Sequence, residues 1–251
     1  MHRVVRWVMV VSAVTAMVAM GSGNASWASI APPDPALTVA AIQPAPNSVV
    51  GVAHPVIVHF VAPVTDRAAA ERVIAIRSDS DTTGSFDWVS DREVQWVPDG
   101  YWPPHTKVDV TVKGMSTGFE TGDALLAVAS ISGHSFTVSR NGETLREMPA
   151  SLGKPSRPTP IGSFTALSKE RTIKFDSRTI GIPLDDPEGY LIDGEYAVRV
   201  TWSGVYVHSA PWSVDSQGYS NVSHGCINLS PANAAWYFDQ VTLGDPIIVE
   251  A

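Results

Sequence analysis

The chain contains one cysteine, Cys226, in 251 residues. A single thiol cannot form an intramolecular disulfide, so a disulfide-stabilised scaffold is excluded, and Cys226 must serve packing, intermolecular pairing or reactivity. Positive charge is also scarce, because 17 Lys and Arg are set against 25 Asp and Glu, a net charge of -8. Without a basic cluster beyond the first few residues, the chain lacks the electrostatic footprint of a nucleic-acid-binding protein. We therefore expect no nucleic-acid partner.

Only one apolar run is long enough to resemble a targeting segment. Basic residues at positions 2, 3 and 6 precede an almost wholly apolar stretch, 7–20, and small residues follow it. This order predicts a secretory signal peptide over residues 1–28. An uncleaved membrane anchor is the alternative, although the run is shorter than the roughly 20 residues that a bilayer span requires. We expect an exported protein of the periplasm or cell wall, anchored in the membrane if the signal is retained.

A proline-rich segment, 29–36, predicts a linker, and short alternating runs follow it. These runs lie at 37–42, 56–60, 73–77, 86–89, 93–97 and 107–112, with one short helix at 68–72. Short strands separated by turn residues are typical of an immunoglobulin-like β-sandwich. We assign residues 37–121 to such a domain, with Trp88 and Trp96 as aromatic residues of its core.

A second β-rich series predicts another domain over residues 122–251. Its strands are expected at 125–130, 136–140, 144–148, 163–166, 172–175, 196–202 and 205–208, with a closing strand at 247–249. Asn141 and Gly142 favour a type I′ turn because both tolerate positive φ. Ser230 and Pro231 suit the cap and first position of a helix that ends near 241. The predicted fold is mostly β, with one or two short helices in the second domain and Cys226 in a loop before the helix.

The neighbours of Cys226 indicate a reactive thiol. The cysteine lies in Ser223-His224-Gly225-Cys226-Ile227-Asn228, and an alternating run upstream carries His208. A cysteine attacks as thiolate, yet an ordinary pKa of about 8.5 leaves only a few per cent ionised at neutral pH. Both histidines are candidate bases. We favour His208 as the catalytic base, because a strand positions a side chain better than the nucleophile's own loop does.

Three further residues have chemical reasons to assist. Gly225 lets the backbone bend tightly, so that the N–H groups near Gly225 and Cys226 can face a developing oxyanion. Ser209 can orient His208 through its carbonyl or its hydroxyl group. Asn228 can fix the loop or bind an amide of the substrate.

Two alternative roles for the cysteine are open at this point. A single cysteine is most often a small buried apolar residue. Alternatively, His208, His224 and Cys226 supply three ligands for zinc, but their spacing matches no zinc motif and no acidic ligand lies close by in sequence. We expect no metal and no cofactor.

Taken together, these residues resemble the L,D-transpeptidase family. Its YkuD-type catalytic domain carries a histidine, a gap of similar length, and then Ser/Thr-His-Gly-Cys-x-Asn. The resemblance covers residues 122–251, and the run from Gly204 to Trp212 strengthens it. Because an immunoglobulin-like domain and a signal precede it, the chain is most similar to the mycobacterial-type enzymes.

The resemblance implies an acyltransferase that forms 3→3 cross-links in peptidoglycan. Cys226 would attack the bond between meso-diaminopimelate and the terminal D-Ala of a tetrapeptide stem, and the acyl group would pass to diaminopimelate on a second stem. An L,D-carboxypeptidase that uses water as acceptor, and a wall-binding protein without activity, are the alternatives. The implied partners are these stem peptides and carbapenem-type inhibitors, and we expect a monomer.

The resemblance also assigns roles to individual residues. His208 would act as base and then acid with Ser209 as its orienter, and His224 and Gly225 would join Cys226 in the anion-stabilising loop. The positions that match substrate-contacting residues of the family are Tyr190, Ser203, Gly204 and Asn228, and Phe175 is assigned to substrate binding as a departure from the family pattern. Phe175 takes the place of a methionine that relatives carry in a lid.

Overall fold

The computed structural model describes residues 37–251. The predicted signal peptide, 1–28, and the predicted linker, 29–36, lie outside the described residues. Within the described range, no helix is both long and apolar enough to cross a membrane.

The first part of the described chain is an immunoglobulin-like β-sandwich, as predicted. Its elements are β1 (Val39–Gln43), β2 (Val49–Val50), β3 (Val56–Phe60), α1 (Arg67–Arg72), β4 (Ile74–Ser78), β5 (Gly84–Trp88), β6 (Glu93–Pro98), β7 (Lys107–Val112) and β8 (Met115–Thr121). They form two four-stranded sheets, ordered β1-β3-β6-β5 and β2-β8-β7-β4. Every second residue of β7 is buried, as expected for a strand with one face on the core.

The core of the sandwich contains Trp102, which the sequence pattern did not predict. Its side chain is 1% exposed, and its indole N–H donates to the carbonyl oxygen of His54 at 2.9 Å. The ring of Trp96 lies 5.1 Å away and is buried, as predicted. Trp88 is only half-buried. Trp102 was missed because it follows β6 in a segment without alternation.

The second part of the described chain is also β-rich and contains one α-helix. Its elements are β9 (Leu125–Ser130), β10 (Ser135–Arg140), β11 (Glu143–Pro149), β12 (Gly162–Thr165), β13 (Ser168–Asp176), β14 (Leu191–Arg199), β15 (Tyr206–Ser209), β16 (Ile227–Leu229), α2 (Pro231–Gln240) and β17 (Pro246–Glu250). Two 3-10 helices lie at Ser177–Ile180 and Pro211–Ser216. The strands form a five-stranded sheet, β11-β10-β9-β17-β12, and a four-stranded sheet, β13-β14-β15-β16.

Several local predictions for this part can be compared with the structure. Asn141 and Gly142 have φ values of 51° and 86°, which confirms the type I′ assignment. The strand predicted at 196–202 exists as β14, but its bounds were wrong, because β14 begins at Leu191 and ends at Arg199, and Trp202 is 75% exposed. Strands β2, β8 and β16 were not predicted. The loop expected around Cys226 ends directly at β16. This strand has only three residues, too few to show an alternation of apolar and polar side chains.

Helix α2 supports the sheet that carries His208. The Ser230 hydroxyl accepts from the Asn233 N–H at 3.4 Å, so the predicted cap is confirmed. The helix packs against β14 and β15, and it buries Ala234 and Tyr237. The Tyr237 ring meets Phe136 edge-on at 4.8 Å between centroids. A single apolar cluster therefore fills the space between the two sheets.

We propose that the domain boundary lies between residues 121 and 122, where β8 ends. Each side has its own apolar cluster. The two sides are joined by backbone hydrogen bonds, from Gly51 N–H to the Leu243 oxygen at 2.8 Å and from Ala53 N–H to the Gly244 oxygen at 2.9 Å. A Cβ at Gly51 would collide with the backbone of Gly244 and Asp245.

Gly51→Ala is therefore expected to destabilise this junction. Backbone atoms would have to shift to admit the methyl group, at a cost of roughly 1–3 kcal/mol in the free energy of unfolding. Chemical denaturation followed by tryptophan fluorescence measures the effect. The matched control is Gly100→Ala, because nothing lies within 4 Å of a Cβ built at Gly100. Equal denaturation midpoints for the two variants would contradict the close approach at Gly51.

Candidate active site

Parallel pairing of β15 with β16 brings His208 close to the sequence block that contains Cys226. In this register His208 is opposite Asn228 and Val207 is opposite Ile227. Cys226 is the residue before β16, so it lies beside the start of β15. All four residues of β15 are buried, which makes the strand a rigid support.

His208 and Cys226 line one cavity of about 450 Å³. Other lining residues include Phe175, Tyr190, Trp212 and His224. Most of the exposed lining is apolar or aromatic, and a few polar side chains complete it. A concave apolar site with a few polar groups is the usual form of a small-molecule site.

His208 is held as a neutral imidazole by its surroundings. Its Nδ1 lies 2.8 Å from the carbonyl oxygen of Ser209. Since a carbonyl only accepts, Nδ1 carries the proton and Nε2 is left as the basic nitrogen. The centroid of its ring lies 4.5 Å from that of Phe175 and 5.9 Å from that of Trp212. This burial lowers the pKa of His208 to about 4, although the Ser209 hydrogen bond opposes the shift.

Cys226 is also neutral at physiological pH. The residue is partly exposed, and its Sγ lies 3.7 Å from the carbonyl oxygen of Gly204. Desolvation raises the pKa of the thiol to about 11, although the Tyr206 backbone opposes the shift. The resting pair is therefore thiol and imidazole, not thiolate and imidazolium.

The loop before Cys226 is held by two side-chain hydroxyls that sequence reasoning left without a role. Ser223 Oγ donates to the carbonyl oxygen of Cys226 at 2.6 Å and accepts from the Gly225 N–H at 3.1 Å. Thr159 Oγ1 donates to the Gly225 carbonyl oxygen at 2.9 Å. Gly225 has a φ of +117°, a conformation that favours glycine.

These bonds correct the expectation for the oxyanion donors. The Gly225 N–H is occupied by Ser223, so it is not available to a substrate in this state. Among residues 37–251, the Cys226 N–H has no hydrogen-bond acceptor. The free donor beside the sulfur is therefore that of Cys226 itself.

His224 points to a lid loop, which we define as residues 177–190. Its ring lies 5.2 Å from that of Tyr190, and Nε2 lies 3.4 Å from both Lys154 Nζ and Glu188 Oε2. Desolvation first, and then Lys154, lower the pKa of His224. Lys154 and Glu188 were not assigned to the site from sequence, because only the fold brings their separate loops together.

The remaining predicted residues occupy different positions. Asn228 lines the cavity, is buried and donates from Nδ2 to Ser213 Oγ at 3.1 Å. Gly204 contributes the carbonyl beside the sulfur. Ser203 is exposed, does not line the cavity and shares a 2.9 Å hydrogen bond with Thr201. Phe175 lies near the end of β13, and its ring centroid is 4.5 Å from that of His208.

The zinc alternative requires ligands that converge. In the described part of the chain, no three His, Cys, Asp or Glu side chains are placed to hold a metal ion. The imidazoles of His208 and His224 have different partners, the first a backbone carbonyl and the second the pair Lys154 and Glu188.

A thiol and an imidazole in one cavity of a β-rich domain define a candidate cysteine-dependent acyltransferase, and comparison with known proteins identifies the family. Residues 125–249 match the family model of the L,D-transpeptidase catalytic domain, and residues 14–116 match that of a bacterial Ig domain. The chain is 66% identical over 249 residues to L,D-transpeptidase 1 of Mycobacterium tuberculosis, a match that covers 99% of each chain.

Solved structures agree with this match. The structure of LD transpeptidase LdtMt1 in complex with imipenem superposes with a TM-score of 0.82 at 71% identity, covering 84% of this chain and 98% of that one. An L,D-transpeptidase from Mycobacterium smegmatis gives 0.80 at 60% identity, with 85% and 99% covered. The chain therefore belongs to the L,D-transpeptidase family. The predicted enzyme class, a cysteine-dependent L,D-transpeptidase, is confirmed.

Alkylation of Cys226 by iodoacetamide is expected to be slow at neutral pH and to accelerate towards pH 11. The thiolate is the reactive form, so with a pKa of about 11 the rate rises about tenfold per pH unit between pH 7 and 10. Because Cys226 is the sole cysteine, intact-mass measurement follows it directly. Glutathione in the same buffer is the control. A rate that levels off below pH 8 would show a thiolate already formed.

Proposed function

We propose that the protein forms 3→3 cross-links in peptidoglycan through a thioester on Cys226. The observation that carries this proposal is the shared cavity, which holds the thiol of Cys226 and the imidazole of His208, whose Nδ1 is engaged by the Ser209 carbonyl so that Nε2 is the basic nitrogen. Such a pair does not need a preformed thiolate, because the proton moves to the base as the bond to carbon forms.

In the first half of the reaction a tetrapeptide stem is the donor. Sγ attacks the carbonyl carbon of diaminopimelate while its proton passes to His208 Nε2. The tetrahedral intermediate collapses with loss of the D-Ala amine, which takes that proton from the imidazolium. The product is a thioester between Cys226 and the shortened stem, and free D-Ala leaves.

In the second half the side-chain amine of diaminopimelate on another stem is the acceptor. His208 takes a proton from this amine as it attacks the thioester carbonyl. Collapse of the second intermediate breaks the carbon-sulfur bond, and the thiol of Cys226 regains its proton. An amide between two diaminopimelate residues results. If water takes the place of the amine, the same steps give the alternative L,D-carboxypeptidase.

Supporting groups surround the reacting atoms. The unoccupied N–H of Cys226 is the donor nearest to the developing oxyanion, and such donors are typically worth about 3–4 kcal/mol to the barrier. The Ser209 carbonyl keeps Nε2 unprotonated and therefore able to accept. Tyr190 and Asn228 line the path to the sulfur as substrate-contacting residues, and Gly204 borders it. Ser203 is proposed to contact an acceptor stem outside the cavity.

Carbapenems are proposed to act as substrate mimics that acylate Cys226. The similar L,D-transpeptidase structure in complex with imipenem supports this proposal. Because peptidoglycan lies outside the cytoplasmic membrane, we also propose export to the periplasm or cell wall by the segment 1–28. Mass measurement of the mature N-terminus tests this, and a cytoplasmic protein that retains Met1 would contradict it.

Incubation with a disaccharide-tetrapeptide is expected to yield an acyl-enzyme, free D-Ala and a cross-linked dimer. Mass spectrometry detects all three. Cys226→Ala should abolish each of them, and His208→Gln should slow acylation by about 10²–10⁴-fold, the usual loss of a general base. The matched control is His59→Gln in β3 of the sandwich, which should acylate at the rate of the unmodified protein.

The products separate the possible activities. Release of D-Ala with tripeptide alone would indicate the carboxypeptidase. No release of D-Ala by the unmodified protein would contradict both activities and favour the wall-binding alternative.

A further inference from the structure

The steps proposed for catalysis make no use of two charged side chains beside the cavity: Glu188, which lines it, and Lys154, which pairs with Glu188. Lys154 Nζ donates to Glu188 Oε1 at 2.5 Å, and it lies 3.4 Å from Nε2 of His224. Oε2 of Glu188 lies 3.4 Å from the same nitrogen. The three side chains thus join the lid loop to the loop of the nucleophile.

The two partners of this ion pair are held very differently. The Lys154 N–H donates to the Ser223 oxygen at 3.0 Å, and Gly153 N–H donates to Thr159 Oγ1 at 2.8 Å. The backbone of Lys154 is therefore fixed to the same loop that positions Cys226. The Glu188 side chain is 47% exposed, against 21% for Lys154, and its backbone belongs to the lid loop. The backbone that carries the Lys154 ammonium group is therefore fixed, whereas the Glu188 carboxylate is exposed enough for another carboxylate to displace it.

While this pair is closed, Glu188 neutralises the ammonium group of Lys154, so an anionic peptide finds no free positive charge there. Of the described residues that line the cavity, Glu188 is the only Asp, Glu, Lys or Arg. The donor peptide in the proposed reaction carries several carboxylates. A carboxylate of such a peptide can accept from Lys154 the same charge-assisted hydrogen bond that Glu188 now accepts.

We infer that Lys154 is a substrate-binding residue that pairs with a carboxylate of the donor stem peptide, and that Glu188 occupies its ammonium group until the peptide displaces it. This inference rests on the proposed function, because it takes the stem peptide as the donor. The competing role for the same ion pair is a clasp that merely holds the lid loop closed.

The substrate-binding role and the clasp role predict different effects of substituting Lys154 and Glu188 on acylation. If the pair is only a clasp, loss of either partner opens it, and Lys154→Gln and Glu188→Gln change acylation in the same direction. If Lys154 binds a substrate carboxylate, Lys154→Gln removes the binding group, whereas Glu188→Gln removes its competitor. The two variants then change the KM for an anionic donor in opposite directions.

The experiment measures acylation of Cys226 by intact-mass spectrometry over a range of tetrapeptide concentrations. We expect Lys154→Gln to raise the KM about tenfold, the scale of a hydrogen bond to a charged group, with a smaller change in the maximal rate. Lys154→Arg should restore most of the binding, and Glu188→Gln should lower the KM. The matched control is Lys113→Gln. Lys113 is an exposed lysine of the sandwich, and its substitution changes the net charge by the same amount.

A second set of donors identifies the carboxylate that Lys154 recognises. The free carboxylates of the tetrapeptide are converted to carboxamides one at a time. The peptide whose amidation removes the difference between Lys154→Gln and the unmodified protein carries the recognised group. If amidation at every position leaves the difference unchanged, or if both charge-removing variants raise the KM, the inference is wrong.

Failure of the inference can be told apart from failure of the proposed function. If the unmodified protein forms no acyl-enzyme with any tetrapeptide, the proposed function fails first. If it forms the acyl-enzyme and Lys154→Gln matches Lys113→Gln, only the role of Lys154 is overturned.

Discussion

The arrangement of the active site depends on one parallel pair of strands. β15 carries His208, β16 begins directly after Cys226, and their register places the two side chains at one cavity. β15 is buried along its whole length, so the same strand also holds His208 away from bulk water. Helix α2 packs against β15 and β14 and completes the support.

Removal of water determines the protonation states. Burial lowers the pKa of His208 to about 4 and raises that of Cys226 to about 11, so both groups rest uncharged. A charged pair formed before the substrate arrives is disfavoured in this environment. Proton transfer therefore accompanies the attack on the carbonyl, and the charge that develops is stabilised by fixed donors such as the Cys226 N–H. Ser209 contributes its backbone carbonyl, which selects the tautomer, and not its hydroxyl.

Local patterns predicted the elements but not the contacts between distant loops. The alternation of apolar and polar residues predicted the first and last residues of β3, β7 and β9 correctly, because one face of each strand packs on a core. β16 has only three residues and no readable period, so its pairing with β15 was not foreseen. Trp102 was missed for a related reason, since it is buried from an irregular segment.

The candidate site shows the same division. Cys226 and His208 were found from residue chemistry, because a single cysteine beside histidine and glycine points to a nucleophile with a nearby base. Tyr190 entered only through the family resemblance. Lys154 and Glu188 lie 34 residues apart and meet only when the lid loop folds over the cavity. The occupied N–H of Gly225 likewise depends on a hydroxyl rotamer, which a sequence does not contain.

The most direct test of the account is the protonation state of His208 in the resting enzyme. Nitrogen-15 NMR of histidine-labelled protein at pH 7 should show a neutral ring with its proton on Nδ1, and the same signals in Cys226→Ser. An imidazolium at pH 7 that disappears in Cys226→Ser would show a preformed ion pair with the thiolate. That result would contradict the neutral pair on which the proposed mechanism is built.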